Sequence, residues 1–179
     1  MPLVGRPAPD FDMLSTKNMD TLNERVKLSD YKGKWLVLFF YPADFTFVCP
    51  TEIIAINDRL QEFKDLDAEV LGVSTDSVHS HKAWINTSRA ENGLGGLDYP
   101  LAADFTKTVA RSYDVLVEEE GTALRGLFII DPDGILQYQV VHNMDVGRSV
   151  DETLRVLEAL QMGGLCPANW KPGQATLNV

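Results

Sequence analysis

Residues 35–41 limit the folds open to this chain more than any other stretch. They read Trp35-Leu-Val-Leu-Phe-Phe-Tyr41, an unbroken run of aromatic and aliphatic side chains held between Lys32-Gly33-Lys34 and Pro42. The run is far too short to span a bilayer, and its composition suits a central strand buried on both faces. Beyond the loop that follows, Ile53, Ile56, Leu60 and Phe63 recur at spacings of three and four, while Asn57, Asp58, Arg59, Glu62 and Lys64 turn away. That spacing predicts one amphipathic helix with a core-seeking face. The unit is a strand followed by a helix.

The alternation continues along the chain. Glu69-Val-Leu-Gly-Val-Ser74 reads as a strand, residues 81–89 as a helical piece, Asn92-Gly-Leu-Gly-Gly96 as a loop and Tyr99-Pro-Leu-Ala102 as a weak strand. A short helix near residues 106–113 precedes two β-rich runs, 125–130 and 135–141. Asp131-Pro-Asp-Gly134 between them suits a tight reversal, so the pair predicts an antiparallel hairpin. Ser149-Val-Asp-Glu152 is a capping-box signature; Val150, Leu154, Leu157 and Leu160 follow at helical spacing until Gly163-Gly164 ends the pattern. This last helix is expected to cover the sheet. The order resembles that of a thioredoxin-like domain: an α/β fold with a mixed sheet, a β-hairpin added ahead of Trp35, and a short C-terminal tail. The expected division is a domain over residues 1–163 and a segment over 164–179 that carries Cys166 outside the core.

The chain's 179 residues, 45% of them hydrophobic, suffice for one buried core. With 16 basic against 26 acidic residues the net charge is −10 and the pI about 4.7, a balance that repels phosphate backbones and anionic lipid. Nucleic acid and membranes are therefore not expected partners, and the absence of a basic-then-apolar leader makes the cytoplasm the expected location. His79 and His81 lie one residue apart, His142 is remote, and none has zinc-ligand spacing to a cysteine. Neither a metal nor another cofactor is expected. Glu118-Glu-Glu120 reads as a solvated turn, and Trp84 and Trp170 as packing residues, with Trp170 placed to help dock the segment around Cys166.

The two cysteines, Cys49 and Cys166, form neither the dense framework of a secreted mini-protein nor a Cys-x-x-Cys pair. In Pro42-Ala-Asp-Phe-Thr-Phe-Val-Cys-Pro-Thr-Glu52 the strand ends and the helix begins. Two registers are open: Thr46 as the N-cap, or Cys49 itself as the cap with Pro50 at the first helical position and Glu52 at the third. Either places Cys49 in the first turn, where unpaired N–H groups and the positive helix end favour a thiolate. Plain packing between Phe47 and Val48 also accounts for a lone cysteine. The set around it is more specific, because a thiolate that cleaves an O–O bond needs a donor to the oxygens, a shield from bulk water and a fixed positive charge. Thr46 can provide the hydroxyl, Pro42 the apolar shield, and Arg125 or Arg148 the charge.

Pro42-x-x-x-Thr46-x-x-Cys49 resembles the active-site pattern of the peroxiredoxins, and Asp44-Phe-Thr-Phe-Val-Cys-Pro-Thr-Glu52 is similar to the typical two-cysteine subfamily that includes the bacterial alkyl hydroperoxide reductase peroxidase subunit. The likeness extends through His81-Lys-Ala-Trp-Ile-Asn86, Arg125-Gly-Leu-Phe-Ile-Ile-Asp131, Val146-Gly-Arg-Ser-Val-Asp-Glu152 and Cys166-Pro-Ala-Asn-Trp-Lys-Pro-Gly173. The resemblance implies that Cys49 is the peroxidatic cysteine, that Pro42 and Thr46 are its pocket partners, and that Arg125 contacts thiolate and peroxide. Glu52 and Arg148 then form a supporting ion pair, and Cys166 is the resolving cysteine, which in similar proteins belongs to the other subunit of a dimer. The implied activity is thiol-dependent reduction of hydrogen peroxide and alkyl hydroperoxides through a Cys49 sulfenic acid and an intersubunit disulfide with Cys166.

The same resemblance implies an external reductant, thioredoxin or a flavoprotein disulfide reductase, because the chain has no Cys-x-x-Cys pair of its own. It also implies a homodimer assembling into a decamer. Asn92-Gly-Leu-Gly95 differs by one residue from the Gly-Gly-Leu-Gly loop of overoxidation-sensitive members, and the chain stops six residues after Gly173 with no Tyr-Phe terminal helix. Resistance to overoxidation is therefore expected. The alternative function is a ring-forming holdase chaperone or a redox relay that passes oxidation to clients. A thioredoxin-like binding module without catalysis is disfavoured by the intact Thr46, Cys49 and Arg125 set.

Overall fold

The computed structural model describes residues 2–178. Strands β1 (Asp12–Ser15) and β2 (Arg25–Lys27) pair antiparallel, Met13 opposite Val26, and form the hairpin expected ahead of Trp35. Then come β3 (Trp35–Phe40), α1 (Val48–Asp58), α2 (Leu60–Asp65), β4 (Ala68–Ser74), α3 (Val78–Asn86), β5 (Leu101–Ala103) and α4 (Thr108–Ser112). A small ribbon of β6 (Leu116–Val117) and β7 (Thr122–Ala123) leads into β8 (Arg125–Ile130), β9 (Leu136–His142) and finally α5 (Val150–Met162). Seven strands make one sheet in the order β2-β1-β5-β4-β3-β8-β9. Its β3–β4 and β4–β5 pairs are parallel and its other pairs antiparallel, so the sheet is mixed as expected.

The position of β3 follows from its composition. Val37 lies between Val70 of β4 and Ile129 of β8, and only Trp35 of the six strand residues escapes full burial. Side chains alternate along a strand, so Leu36, Leu38 and Phe40 enter one cluster with Phe11, Met13, Tyr113 and Phe128. Val37 and Phe39 point the other way, where the Phe39 ring stands 6.1 Å from that of Tyr99. Burying each such side chain contributes about 1.5–3 kcal/mol, which fixes the strand in the middle of the sheet.

The helix expected across residues 53–63 is divided. At Arg59 (φ −114°, ψ 17°) the chain leaves helical geometry, its N–H reaching back to Ile56 and Asn57, and α2 starts at Leu60. Ile53, Ile56, Leu60 and Phe63 are nonetheless all buried, so the apolar face runs through the break. Periodicity reads that face and is blind to one tightened turn. The helix expected at 81–89 begins and ends earlier: Ser77 caps α3 by accepting from the Ser80 N–H at 3.2 Å, and a 3₁₀ turn at Arg89–Glu91 follows. Around the expected solvated turn 118–120 the chain forms the β6–β7 ribbon, and Glu118 is ion-paired with Arg111 at 2.7 Å.

The β8–β9 reversal is as the sequence predicts. Asp131 Oδ1 accepts from the N–H groups of Asp133 and Ile135, both at 2.9 Å, and Gly134 takes the left-handed conformation (φ 84°) that closes the turn. Two compact units are present, Met1–Arg148 and Ser149–Val179. The second unit begins at the start of α5. Within the second unit the Ser149 hydroxyl accepts from the Glu152 N–H, Gly163 (φ 69°) ends α5, and Arg155 Nη1 donates to Trp170 O at 2.9 Å. Those bonds tie the helix to the segment that follows it. No helix among the described residues is long and apolar enough to cross a membrane.

Gly72 of β4 tests the packing at the sheet centre. A Cβ there would stand 2.7 Å from Leu101 Cδ2 and 2.8 Å from Phe39 Cζ. Gly72→Ala should destabilise the protein by about 1–3 kcal/mol, the usual range for overpacking. Urea denaturation measures it, and an unchanged midpoint would show that these side chains give way freely.

Candidate active site

β3 ends at Phe40, and Tyr41 and Pro42 lead into the loop that delivers Cys49 to the start of α1. Phe45 has a left-handed backbone (φ 58°), and the Thr46 hydroxyl closes the turn by donating to Ala43 O at 2.8 Å. The cap of α1 is therefore Phe47, without a side-chain hydrogen bond, and Cys49 is the second helical residue with Pro50 third. Neither register expected from the sequence is adopted, because Thr46 spends its hydroxyl on its own loop. The shared consequence of both registers holds: Cys49 lies in the first turn, fully buried, where helix donors lack intrahelical partners.

Facing the sulfur is a charged cluster assembled from three elements. Arg125, the first residue of β8, donates from Nη1 to Cys49 Sγ at 3.2 Å and to Glu52 Oε1 at 2.7 Å, while its Nε donates to Met144 O at 2.6 Å. Glu52 lies one turn along α1 from Cys49. Its Oε2 accepts from the Arg148 backbone N–H and Nε, both at 2.7 Å, and its Oε1 accepts from Arg148 Nη2 at 3.0 Å. Arg148 Nη1 also donates to Phe40 O and Gly126 O, at 2.7 and 2.6 Å, and its guanidinium stands 5.3 Å from the Phe39 ring centroid. The two arginines are not the surface cations that such residues usually are; their side chains are only 4% and 6% exposed.

Burial alone pushes the Glu52 carboxyl up, but the hydrogen bonds and charge of Arg148, joined by the charge of Arg125, outweigh it and hold Glu52 below its ordinary value. Glu52 is thus ionised at neutral pH. One carboxylate then faces two guanidiniums, so the buried cluster carries one positive charge in excess. Unpaired buried charge is costly, and the Cys49 sulfur is an acceptor in direct contact with this cluster.

Thr46 and Pro42 are half-buried residues of the loop that leads to Cys49. The single hydroxyl proton of Thr46 goes to Ala43 O, so the atom presents lone pairs. As placed, the hydroxyl is left free to accept a hydrogen bond. Cys166 belongs to the second compact unit, half-buried, its Sγ 3.8 Å from Ala159 O. Among the described residues no group of three or more His, Cys, Asp and Glu side chains could hold a metal ion.

One buried network was not legible in the sequence. Asp44 accepts from Tyr41 Oη at 2.7 Å through Oδ1 and lies 2.7 Å from His81 Nδ1 through Oδ2, and His81 Nε2 lies 2.9 Å from Ala102 O. Burial, reinforced by Asp44, holds the Tyr41 hydroxyl well above its ordinary value, so it stays a neutral donor. The network pins the loop at Asp44 to α3 and β5. No local spacing announces a contact between residues 37 positions apart; the one signal was a charged residue, Asp44, four positions after a buried strand ends.

A model of the AhpC/TSA family matches residues 4–139. YkuU of Bacillus subtilis (strain 168), named a candidate peroxiredoxin, is 64% identical over 98% of each chain. The chloroplastic 2-Cys peroxiredoxin BAS1 of Spinacia oleracea is 54% identical over 99% of this chain and 68% of that one. Among solved structures, the reduced 2-Cys peroxiredoxin of Plasmodium vivax superposes with a TM-score of 0.94 at 40% identity, covering 98% of this chain and 93% of that one. Fold and site together define a thiol-dependent peroxidase built on a thioredoxin-like domain. The chain belongs to the AhpC/TSA family, among relatives named as peroxiredoxins.

Glu52→Gln leaves two buried guanidiniums with no carboxylate between them. It should cost about 3–5 kcal/mol, the range for removing one partner of a buried ion pair. The native carboxyl is held below its ordinary 4.5, so its contribution is complete above that pH and is lost as pH falls through the lower folded value. Urea midpoints across this acid range should fall for the native protein and lose part of that slope in Glu52→Gln. Equal slopes would remove Glu52 as the source.

Proposed function

We propose that the Cys49 thiolate attacks the terminal oxygen of hydrogen peroxide or an alkyl hydroperoxide. The S–O bond forms as the O–O bond breaks, sulfur is oxidised to a sulfenic acid, and the leaving oxygen takes a proton to depart as water or alcohol. The observation that carries this reading is Arg125 Nη1 at 3.2 Å from Cys49 Sγ, inside a buried cluster with one positive charge in excess. The guanidinium donates to the nucleophilic sulfur and stabilises negative charge developing on the leaving oxygen. Thr46 accepts the hydroperoxide O–H and so orients the substrate, and Pro42 shields the pocket from bulk water.

The sulfenic acid then condenses with the Cys166 thiol of a second copy of the chain. The S–S bond forms and water leaves. Thioredoxin or a flavoprotein disulfide reductase supplies the two electrons that reopen it. The working assembly is a homodimer that builds a decamer, acting in the cytoplasm. Since sulfurs in a disulfide lie about 2 Å apart, the buried Cys49 turn must open to meet its partner.

Single-turnover oxidation with one equivalent of hydrogen peroxide tests the roles. Cys49→Ser should lose peroxide consumption, Cys166→Ser should keep the first oxidation and lose sustained turnover, and Arg125→Met should slow the first oxidation by about 10²–10³-fold. Wild-type consumption by Cys49→Ser would sink the assignment. On non-reducing electrophoresis the oxidised protein should run as a dimer that requires both cysteines; a monomer-sized oxidised band would replace the intersubunit disulfide with an intrachain one.

A further inference from the structure

Asn92 is a residue the proposed chemistry does not use, yet its side chain reaches the cysteine loop. Its Nδ2 donates to Thr46 O at 2.8 Å. The block that carries it is firmly built: the Asn92 carbonyl accepts from Trp84 Nε1 at 2.9 Å, and the N–H groups of Gly93, Leu94, Gly95 and Gly96 bond to Ser88, Trp84, Thr87 and Ile85 at 2.8–3.1 Å. Asn92 sits there in the left-handed conformation (φ 64°), which asparagine tolerates better than most side chains.

The segment it holds is weakly secured. Asp44 is anchored by Tyr41 and His81 on one side, and Glu52 by two arginines on the other. Between them, Phe47 caps α1 with no side-chain bond, and Phe47 is 85% exposed. Among the described residues, two side chains from outside donate hydrogen bonds into residues 45–51, Arg125 to Cys49 and Asn92 to Thr46, beside the Thr46 hydroxyl bond to Ala43 O and the helical bonds of α1 itself. The first depends on the charge of the sulfur and weakens once Cys49 is oxidised to a neutral group. The second joins two neutral groups and is the same before and after oxidation.

We propose that Asn92 is a positioning residue, a latch whose hydrogen bond to Thr46 sets how readily the Cys49 turn opens for condensation with Cys166. The proposal rests on the reading of Cys49 and Cys166 given above for its catalytic consequence, but the latch itself acts in the reduced protein. Opening breaks that bond, and the sulfenic acid can then meet the incoming thiol, forming S–S and releasing water. Asn92→Gly keeps the left-handed backbone and deletes only the donor. Asn92→Asp keeps the shape and sets a carboxylate against the carbonyl.

Both variants should form the disulfide about fivefold faster after one equivalent of peroxide, the weight of one net hydrogen bond, with the rate of Cys49 oxidation unchanged. Hydrogen exchange of the reduced protein should show the amides of residues 46–49 exchanging about fivefold faster, with the core strands unaffected. A merely structural loss would instead raise exchange throughout the sheet. Native exchange at 46–49, or faster exchange with a native disulfide rate, overturns the latch. A native Cys49 that never forms sulfenic acid overturns the proposed function, and exchange at 46–49 then still decides whether Asn92 secures the loop.

Discussion

Glu52 is the point on which the site's geometry turns. Its two oxygens take four hydrogen bonds from Arg125 and Arg148, and those arginines in turn grip Met144 O, Phe40 O and Gly126 O. One carboxylate therefore joins the first turn of α1, the end of β3, the start of β8 and the loop before residue 148. A buried charge is tolerable only when its partners are fixed, and here each partner is fixed by backbone carbonyls that the sheet has already placed. The sulfur receives a rigid donor as a consequence.

The division of labour between the arginines follows from what each touches. Arg148 meets Glu52 through three bonds and the sheet through two, and none of these five reaches the sulfur. Arg125 shares one nitrogen between Glu52 and Cys49. On the proposed chemistry, Arg148 is a positioning residue and Arg125 the group in contact with the reacting sulfur. Guanidinium suits both tasks because its planar fork can satisfy several acceptors at once, which an ammonium on a flexible stem does less well.

Much of this was legible in the chain itself. The apolar run at 35–41 identified the central strand, and the resemblance carried by the Cys49 motif singled out Arg125, Glu52 and Arg148, which the structure brings together in one buried cluster. What the sequence hid was where interactions bridge distant segments or where a side chain had two possible partners. Thr46 was legible as a hydroxyl near the thiol, but its proton goes to Ala43 O, a choice made by the left-handed Phe45. The break at Arg59 leaves the apolar period intact and so leaves no trace in it. The Tyr41–Asp44–His81 network joins α3 to the cysteine loop with no spacing rule to reveal it.

Under the proposed chemistry, the same charge count bears on the release of Cys49. While the sulfur is anionic it neutralises the excess positive charge of the Arg125–Glu52–Arg148 cluster, and withdrawing it would leave that charge buried and unmatched. On the proposed chemistry, oxidation to a sulfenic acid removes the negative charge, so the electrostatic reason for Cys49 to remain disappears at the step after which it must move. Glu52 stays bound to both arginines throughout, which confines the motion to the turn ahead of it and leaves the rest of α1 in place. On that proposal, reaction and opening are coupled through one change of charge, with the cluster itself left intact to receive the sulfur again once the disulfide is reduced.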